Sequence, residues 1–367
     1  MINKCLLALI LLISSSLNSG CSTIGYYSQS IQGQLSVMSK RVSIDELIED
    51  PATSDQKKAV LRNILQIREF ASDYLHLPDN ESYSTYVDLD EDYVVWNVFA
   101  TPEFSLTPVS SCFLIVGCLQ YKGFFAKQDA IDFADELRES GNDVFVGGVT
   151  AYSTLGWFDD PILSSMLTYG EFRLAEVIFH ELAHQLIYIK NDSAFNEAFA
   201  TAIGEIGVRR WLQENNRDAD LEKFNRDKQW DYEFIQIVLS SKEKLDLLFG
   251  SDQAKSHDQK SQQTPEQLRI KKQTIYDELR TDYSELKSAW ENPPNYDNWM
   301  QNDLNNAKVA SIVTYHDLTE SFGNLLALSN NNLHLFYQRV RHLGSLSELD
   351  RHSCLEDMSI QTHCYAE

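Results

Sequence analysis

The feature that most constrains this chain is a predicted helix that carries two histidines and a glutamate among apolar residues. Residues 179–185 read Phe-His-Glu-Leu-Ala-His-Gln. Apolar residues recur around them at helical spacing, namely Leu174, Val177, Ile178, Leu182, Leu186 and Ile187. Because residues four apart lie on one face of a helix, His180 and His184 can reach a single ion. The apolar flanks predict a buried helix, in which these polar groups need partners to offset their desolvation.

This spacing of histidines is the ligand pattern of a zinc site. Zinc accepts neutral imidazole nitrogens in a tetrahedral site that can keep one position open. Glu181 directly follows the first histidine, so it can stand beside a metal-bound water and accept its proton. We therefore predict His180 and His184 as ligands of a Zn²⁺ cofactor and Glu181 as the general base. The alternative is a surface helix that carries two histidines without a metal.

A third ligand is expected from the next predicted helix. Residues 190–193 read Lys-Asn-Asp-Ser, a polar turn in which Asp192 or Ser193 can cap a helix predicted from residue 194 to 211. After such a short turn, this helix can fold back antiparallel to the first and bring Glu197 toward the imidazoles. We predict Glu197 as the third zinc ligand. Its alternative role is to complement the dipole at the N-terminus of the helix.

The two predicted helices carry a resemblance to known metallopeptidases. His-Glu-x-x-His followed by Asn-Glu-x-Phe-Ala resembles the gluzincins, in which a glutamate on the second helix completes the zinc site. Nearly the whole chain after residue 20 is similar to a bacterial family described as lipoprotein aminopeptidases. The similarity lies in residues 25–27, 93–104, 149–161 and 179–200. The resemblance implies a zincin-like fold, a zinc cofactor and hydrolysis of peptide bonds. The interval between His184 and Glu197 is shorter than in thermolysin-like enzymes.

The resemblance also implies a group that orients a zinc ligand. Thermolysin-like enzymes have an aspartate four residues after the third ligand, and here that position holds Thr201. Partners of the ligands still orient them in metal sites generally. Asn196, Thr201 and Glu205 are the candidates for this role.

Other side chains are candidates for contacts with the substrate. Hydrolysis needs a donor for the developing oxyanion, and residues 314–317, which read Thr-Tyr-His-Asp, offer Tyr315 and His316. Their alternative roles are a core tyrosine and a capping histidine. Residues 152–160 are a candidate wall of the cleft, with Gly156 permitting an unusual turn. An aminopeptidase also needs an anion that holds the free amine of its substrate, and the many acidic candidates include Glu103, Asp159 and Asp160.

The N-terminus predicts export and lipidation. A short apolar run, residues 5–13, is followed by small and polar residues up to Cys21, which is the order of a signal peptide. The pair Ser19-Gly20 before Cys21 fits a bacterial lipoprotein site, although Asn18 stands where a large apolar residue is usual. Ordinary cleavage and an uncleaved anchor are the alternatives. Because Ser22 is not acidic, we expect an outer-membrane lipoprotein that faces the periplasm.

Charge and cysteines agree with this compartment. The formal net charge is −23, and a surface of that sign repels nucleic acid, so we expect no nucleic-acid partner. Four cysteines follow Cys21, and an oxidising compartment favours disulfides. We predict a bridge between Cys112 and Cys118, while Cys354 and Cys364 can close the C-terminal tail. Buried thiols are the alternative for both pairs.

The apolar pattern divides the chain into four parts. After a signal peptide at 1–20, residues 21–80 are predicted to be a helical segment. Residues 81–216 are predicted to be a zincin-like catalytic core, with strands at 93–99, 113–116 and 144–146 and a helix at 127–140. Residues 217–367 are predicted to be helical, with a mobile loop near 251–265 and a last helical portion at 303–341. The predicted fold class is α+β, mostly helical, with a small sheet.

Together these patterns favour a zinc-dependent peptidase, with an aminopeptidase as the expected type and short peptides or protein N-termini as substrates. An endopeptidase is left open as another type, and a zinc-stabilised periplasmic lipoprotein that binds a partner without catalysis is the alternative to a peptidase. Glu181 distinguishes the two, because a purely structural zinc site does not need an acid beside an open metal position.

Overall fold

The computed structural model describes residues 25–113, 117–250, 263–291, 294, 296–301, 303–316, 318–356 and 364, with only the backbone described at 313–316. The predicted signal peptide, Cys21 and most of the predicted loop at 251–265 lie outside the described residues. The fold is α+β and mostly helical. The helices are α1 (25–39), α2 (Ile44–Glu49), α3 (Asp55–Asp73), α4 (Lys127–Glu139), α5 (Glu171–Leu186), α6 (Ser193–Glu214), α7 (Asp218–Phe249), α8 (Pro265–Ala289), α9 (Asp297–Gln301), α10 (Asn306–His316), α11 (Thr319–Leu328), α12 (Leu333–Ser345) and α13 (Glu348–Glu356).

The strands form small sheets rather than the single one that was predicted. They are β1 (Val42–Ser43), β2 (Thr85–Val87), β3 (Val95–Pro102), β4 (Ser111–Phe113), β5 (Gly117–Leu119), β6 (Lys122–Phe124), β7 (Asn142–Val149) and β8 (Ile162–Leu163). One sheet has the order β6-β3-β7 and is antiparallel, with Val95 opposite Val149 and Pro102 opposite Asn142. A second has the order β1-β2-β8. β4 and β5 form a hairpin that a Cys112–Cys118 disulfide closes.

The centre of the molecule is the antiparallel pair α5 and α6. Glu197, near the start of α6, lies beside the histidines of α5, and Gly204 lies beside Glu176, one to two turns earlier on α5. A Cβ at Gly204 would stand 2.9 Å from the carbonyl oxygen of Glu176, so glycine permits the close approach of the two backbones. Fully buried side chains such as Phe179 and Phe199 fill the surrounding core, which includes residues of all three predicted parts of the mature chain.

The segments predicted to be helical contain helices, but some are interrupted where a continuous helical segment was predicted. The helix predicted at 127–140 is confirmed as α4. The segment predicted to be helical at 21–80 is interrupted by β1, which pairs with β2. The portion predicted at 303–341 is three helices, since Asn330 and Asn331 adopt φ values of 53° and 57° and end α11. A further helix, α13, lies in the C-terminal part that was predicted to be helical, after the last portion named there. Of the strand predicted at 113–116, residues 114–116 lie outside the described residues.

The remaining elements surround the central pair. α4 packs on the β6-β3-β7 sheet through Ala130 and Ala134, and α7 and α8 form a long pair with a separate core around Val238 and Leu279. A cavity of about 1110 Å³ lies between α5, α6, this sheet, α1 and α7. Within the described residues, no helix combines the length and the apolar character that crossing a membrane would need.

Candidate metal centre

Three side chains from α5 and α6 converge at one wall of the cavity. The Nε2 atoms of His180 and His184 are 3.1 Å apart. Oε2 of Glu197 lies 3.4 Å from Nε2 of His180 and 3.5 Å from Nε2 of His184. The helical spacing of the histidines and the antiparallel return of α6 therefore produce the cluster that the sequence predicted. Among the described residues, these three side chains are the ones whose ligand atoms lie close enough together to hold a metal ion.

The geometry of this cluster fits a zinc ion. Tetrahedral bonds of about 2.0 to 2.2 Å would hold ligand atoms roughly 3.3 Å apart, close to the three separations that the structure has. Two imidazole nitrogens and a carboxylate oxygen at such distances repel one another unless a proton or a cation lies among them. The donor set, two imidazoles and one carboxylate, is also one that zinc takes at catalytic sites.

The electrostatics of the site keep Glu197 ionised. Burial by itself would raise the pKa of the Glu197 carboxyl, but the neighbouring His184 and His180 lower this pKa to about 2. For His184, burial favours the neutral ring, but Glu197 outweighs this effect and raises the pKa of the imidazole. Glu197 is therefore an anion over the whole physiological pH range, as a metal ligand must be.

Glu181 lies in the same cavity, but its pKa is shifted in the opposite direction from that of Glu197. Its carboxyl lines the cavity together with His180 and His184. Burial raises its pKa, with a smaller opposing effect from the two histidines and a further increase from Glu197. A carboxylate that is more basic than usual, close to the metal ligands but not among them, is suited to accept a proton from water.

Hydrogen bonds from the turn between α5 and α6 fix the position of Glu197. Asn196 donates from Nδ2 to the carbonyl oxygen of Ile189 and accepts at Oδ1 from the amide of Ile189, both at 2.7 Å. Asp192 caps α6 by accepting from the amide of Phe195 at 3.0 Å. Asn196 and Asp192 thus hold the first turn of α6, which carries Glu197, against the end of α5.

The structure distinguishes the three candidates for orienting a ligand. Asn196 acts on the backbone as described, Thr201 lines the cavity, and Glu205 accepts from Arg209 at 3.0 Å. None of them bonds the Nδ1 atom of His184, which is buried and has no hydrogen-bond partner among the described residues. An orienting partner for this imidazole is therefore absent from the described part of the chain.

The predicted cleft wall contributes to the cavity. Tyr152, Ser153, Thr154 and Leu155 line it, and the turn that follows has φ values of 55° at Leu155 and 78° at Gly156. Asp160 lies behind this wall, 1% exposed, and accepts from the amide and hydroxyl of Thr154 at 2.9 and 2.8 Å. Burial raises the pKa of Asp160 to about 7. Its hydrogen bonds give it a structural role in the loop.

The acids named as candidate amine anchors do not line the cavity. Glu103 pairs with Arg269 of α8 at 2.6 Å, and Asp159 and Asp160 belong to the loop behind the wall. The acids that do line it are Glu176, Glu181, Glu197, Asp227 and Asp231. They belong to the three consecutive helices α5, α6 and α7. Only the packing of these helices brings them to one cavity, so composition alone could not select them.

Glu176 stands one helical turn before His180 and is held by two cations. Arg173 lies 3.0 Å and Lys228 lies 2.6 Å from its carboxylate oxygens. Burial would raise the pKa of Glu176, but these two cations lower it to about 2. Because Lys228 belongs to α7, this buried network ties the long helical pair to the metal-binding helix.

Two tyrosines that the sequence analysis did not select face the cluster. Tyr121 follows the β4–β5 hairpin and lines the cavity. Burial, followed by the nearby charge of Glu197, raises the pKa of its phenol well above the ordinary value. Burial and Glu197 also raise the pKa of Tyr188 to about 12. Tyr188 follows the end of α5 at Leu186, so helical spacing from His184 does not extend to it, and no local signal marks Tyr121 either.

Tyr315 and His316, the predicted oxyanion donors, belong to the end of α10. Their side chains lie outside the described part of the chain, so both remain predictions. The nearby Ile312 of the same helix lines the cavity.

Comparison with known proteins gives one family. A family model described as "Putative aminopeptidase" matches residues 25–355. No curated protein and no solved structure matches the chain.

Proposed function

The chain belongs to the "Putative aminopeptidase" family, and from this premise we propose that it is a zinc-dependent peptidase of the gluzincin type. The observation that carries the proposal is the convergence of His180, His184 and Glu197 within 3.1 to 3.5 Å of one another. These three side chains would hold the zinc. Glu181 lies beside them in the cavity without belonging to the ligand set.

A zinc ion held here would supply a Lewis acid that polarises the scissile carbonyl and makes water a better nucleophile. Glu181 accepts the proton of the attacking water on its carboxylate and passes it to the nitrogen of the leaving amine. The raised pKa of Glu181 favours the first transfer. The fixed first turn of α6 keeps Glu197 in place while the substrate moves through the cavity.

Tyr121 is the phenol that we propose for stabilising the oxyanion. It lines the cavity, and the charges of Glu197 and Glu181 act on its hydroxyl. The raised pKa keeps this hydroxyl protonated, so it can donate a hydrogen bond to the developing negative charge. The Cys112–Cys118 disulfide and a hydrogen bond of 2.9 Å from the Cys118 amide to Oδ1 of Asn191 hold the neighbouring hairpin against the α5–α6 turn.

The charge of the cavity supports aminopeptidase action. Its described lining has five acids, as given above, but only two basic residues, Arg173 and Lys228. A bound Zn²⁺ would offset two of the three excess negative charges, so the lining keeps a small net negative charge that favours the cationic amine of a peptide N-terminus. Its size, about 1110 Å³, exceeds the roughly 300–1,000 Å³ of small-molecule pockets and suits a peptide of several residues.

The test is the pair of variants Glu181→Gln and Glu197→Gln. Glu181→Gln should retain zinc and lose roughly two or more orders of magnitude in kcat, the scale of a positioned acid–base group. Glu197→Gln should lose zinc, because a neutral amide is a poor ligand. Zinc is measured by elemental analysis, and cleavage by mass spectrometry of a mixed peptide library, in which release of single N-terminal residues identifies an aminopeptidase. Wild-type rates in Glu181→Gln would contradict the mechanism.

A further inference from the structure

Helix α1 separates the cavity from the outside along one side. Tyr26, Ser30 and Gln34, spaced four residues apart, line the cavity, and Gln34 accepts a hydrogen bond from Tyr152. Gly33 of the same face packs so closely on the ring of Phe125 that a Cβ would lie 2.2 Å from it. One face of α1 is therefore part of the catalytic cleft.

The opposite face of α1 is exposed and uncharged. It presents Ser28, Ile31, Gln32, Leu35, Ser36 and Ser39. Ile31 and Leu35, one turn apart, are each 59% exposed. No Asp, Glu, Lys or Arg occurs between residues 22 and 39, although the chain as a whole is 23% charged with a net charge of −23. A stretch without charge in such a chain marks a surface with a different environment from the rest.

A second exposed apolar group adjoins the end of α1. Arg41 donates from Nη1 to the carbonyl oxygen of Asp159 at 3.1 Å, which fixes the neighbouring loop beside this end of the helix. In that loop Trp157 is 68% exposed and Phe158 is 47% exposed. Aromatic side chains of this kind favour the interface between a bilayer and water.

We propose that this surface, formed by Ile31, Leu35, Trp157 and Phe158, rests on a lipid bilayer and that the enzyme cleaves peptides held at the membrane. The occupant is argued from the chain itself, since Cys21, the predicted lipidation site, is five residues before Tyr26 and so within about 18 Å of it even in a fully extended chain. Acyl chains at Cys21 bring this surface to the membrane, and the uncharged face of α1 avoids the repulsion that the acidic remainder meets at anionic lipids.

The consequence for the substrate rests on the proposed function. Only the thickness of one helix, about 10 Å, separates the bilayer from the cavity lined by Tyr26 and Gln34. The cleft can therefore reach peptide ends that are anchored in the bilayer by a short spacer.

The first experiment measures contact with lipid. The full chain is produced with its signal peptide, purified as the lipoprotein, and placed in phosphatidylcholine vesicles with brominated acyl chains, which quench tryptophan fluorescence. We expect a mass that includes the acyl chains, and quenching that falls in Trp157→Phe and in the double variant Ile31→Glu/Leu35→Glu. Leu247→Glu, which changes a residue 79% exposed on α7, is the matched control and should be quenched like wild type. An unacylated mass, or equal quenching in all variants, would overturn the proposal.

The second experiment measures cleavage of two peptides of the same sequence, one soluble and one tethered to the vesicle lipid by a short spacer. The Ile31→Glu/Leu35→Glu enzyme should keep the soluble rate within about twofold and cleave the tethered peptide about tenfold more slowly, because its surface is no longer held at the bilayer. Equal losses on both peptides would contradict the proposal. If neither enzyme cleaves either peptide while quenching persists, the proposed function fails and the membrane contact stands. A wild-type dimer in detergent that the double variant dissociates would instead assign this face to a second copy and overturn the proposal.

Discussion

Glu181 and Glu197 have the same side chain but opposite shifts of pKa, and this difference agrees with the roles proposed for them. Two imidazoles lower the pKa of Glu197, whereas burial dominates at Glu181 and raises its pKa. The carboxylate that stays ionised can act as a ligand, and the one that readily binds a proton can act as a base. Position on the helices decides this, since Glu197 points between the histidines and Glu181 is adjacent in sequence to His180.

Tyr121→Phe tests the proposed role of the Tyr121 hydroxyl as oxyanion donor. Removal of the hydroxyl alone should lower kcat by roughly 10²- to 10³-fold, the cost of losing one oxyanion donor, with zinc content unchanged and KM changed little. Steady-state kinetics on the peptide identified in the library, together with elemental analysis, measure these quantities. Tyr74→Phe, which alters a tyrosine 52% exposed outside the cavity, is the control. A kcat for Tyr121→Phe equal to that of the control would return the role of donor to Tyr188, Tyr315 or His316.

The sequence was sufficient to predict that the candidate residues close to one another in the chain come together. His180, Glu181 and His184 are within five residues on one helix, and Glu197 follows after one short turn, so helical geometry alone could bring them together. Tyr121 reaches the site from a hairpin that precedes α5 by about fifty residues of sequence, and its position depends on packing across the cavity. Patterns of helical or strand periodicity carry no information on such distant contacts.

At the scale of elements, α13 anchors the turn that positions Glu197. His352 of α13 shares a hydrogen bond of 2.9 Å with Oδ2 of Asp192, and Nε of Arg351 lies 2.7 Å from the same oxygen. Asp192 in turn caps α6. Cys354 of the same helix forms a disulfide with Cys364. The sequence analysis gave no role to His352 and named no separate helix at 348–356, so this contact between the C-terminal helix and the turn between α5 and α6 was missed.

The contact between His352 and Asp192 predicts a pH-dependent stability. The hydrogen bond to Asp192 raises the pKa of His352 above 6.5, so its contribution is fully present below pH 6.5 and is lost as pH rises through the raised value. Burial alone would raise the pKa of Asp192, but His352 and other partners lower it below 3.8. The stabilisation that Asp192 contributes is therefore lost only as pH falls through this lowered pKa. His352→Gln should therefore destabilise the protein by roughly 1 to 3 kcal/mol near pH 5 and much less near pH 9.

Denaturant unfolding of both proteins at several pH values measures this difference. His334→Gln, at an exposed position of α12, is the control and should track the wild type throughout. A difference between His352→Gln and wild type that is the same at pH 5 and pH 9 would show that the side chain stabilises by packing rather than by charge.

At the scale of the whole molecule, several parts of the chain meet at the proposed metal ligands. The pair α5 and α6 lies in the largest apolar core, together with helices from the N-terminal segment and the C-terminal portion. α7 joins through Lys228 and Glu176, and α13 joins through Asp192. A substitution at these residues should therefore change the free energy of unfolding of the whole chain.

Zinc is expected to stabilise the folded protein globally. An ion that binds only the native state adds RT ln(1 + [L]/Kd), about 4 kcal/mol at a thousandfold excess over Kd, and for a chain of this size that corresponds to a rise in Tm of several degrees. A strong chelator should lower the Tm of wild type by this amount, and readdition of zinc should restore it.

The double variant His180→Ala/His184→Ala should have one Tm with and without chelator, because it has lost two of three ligands. Glu181→Gln should respond as wild type does, since Glu181 is not a ligand, and differential scanning calorimetry distinguishes the three. A wild-type Tm that is indifferent to a chelator which has removed all zinc would mean that packing alone holds His180, His184 and Glu197 together, without help from the ion.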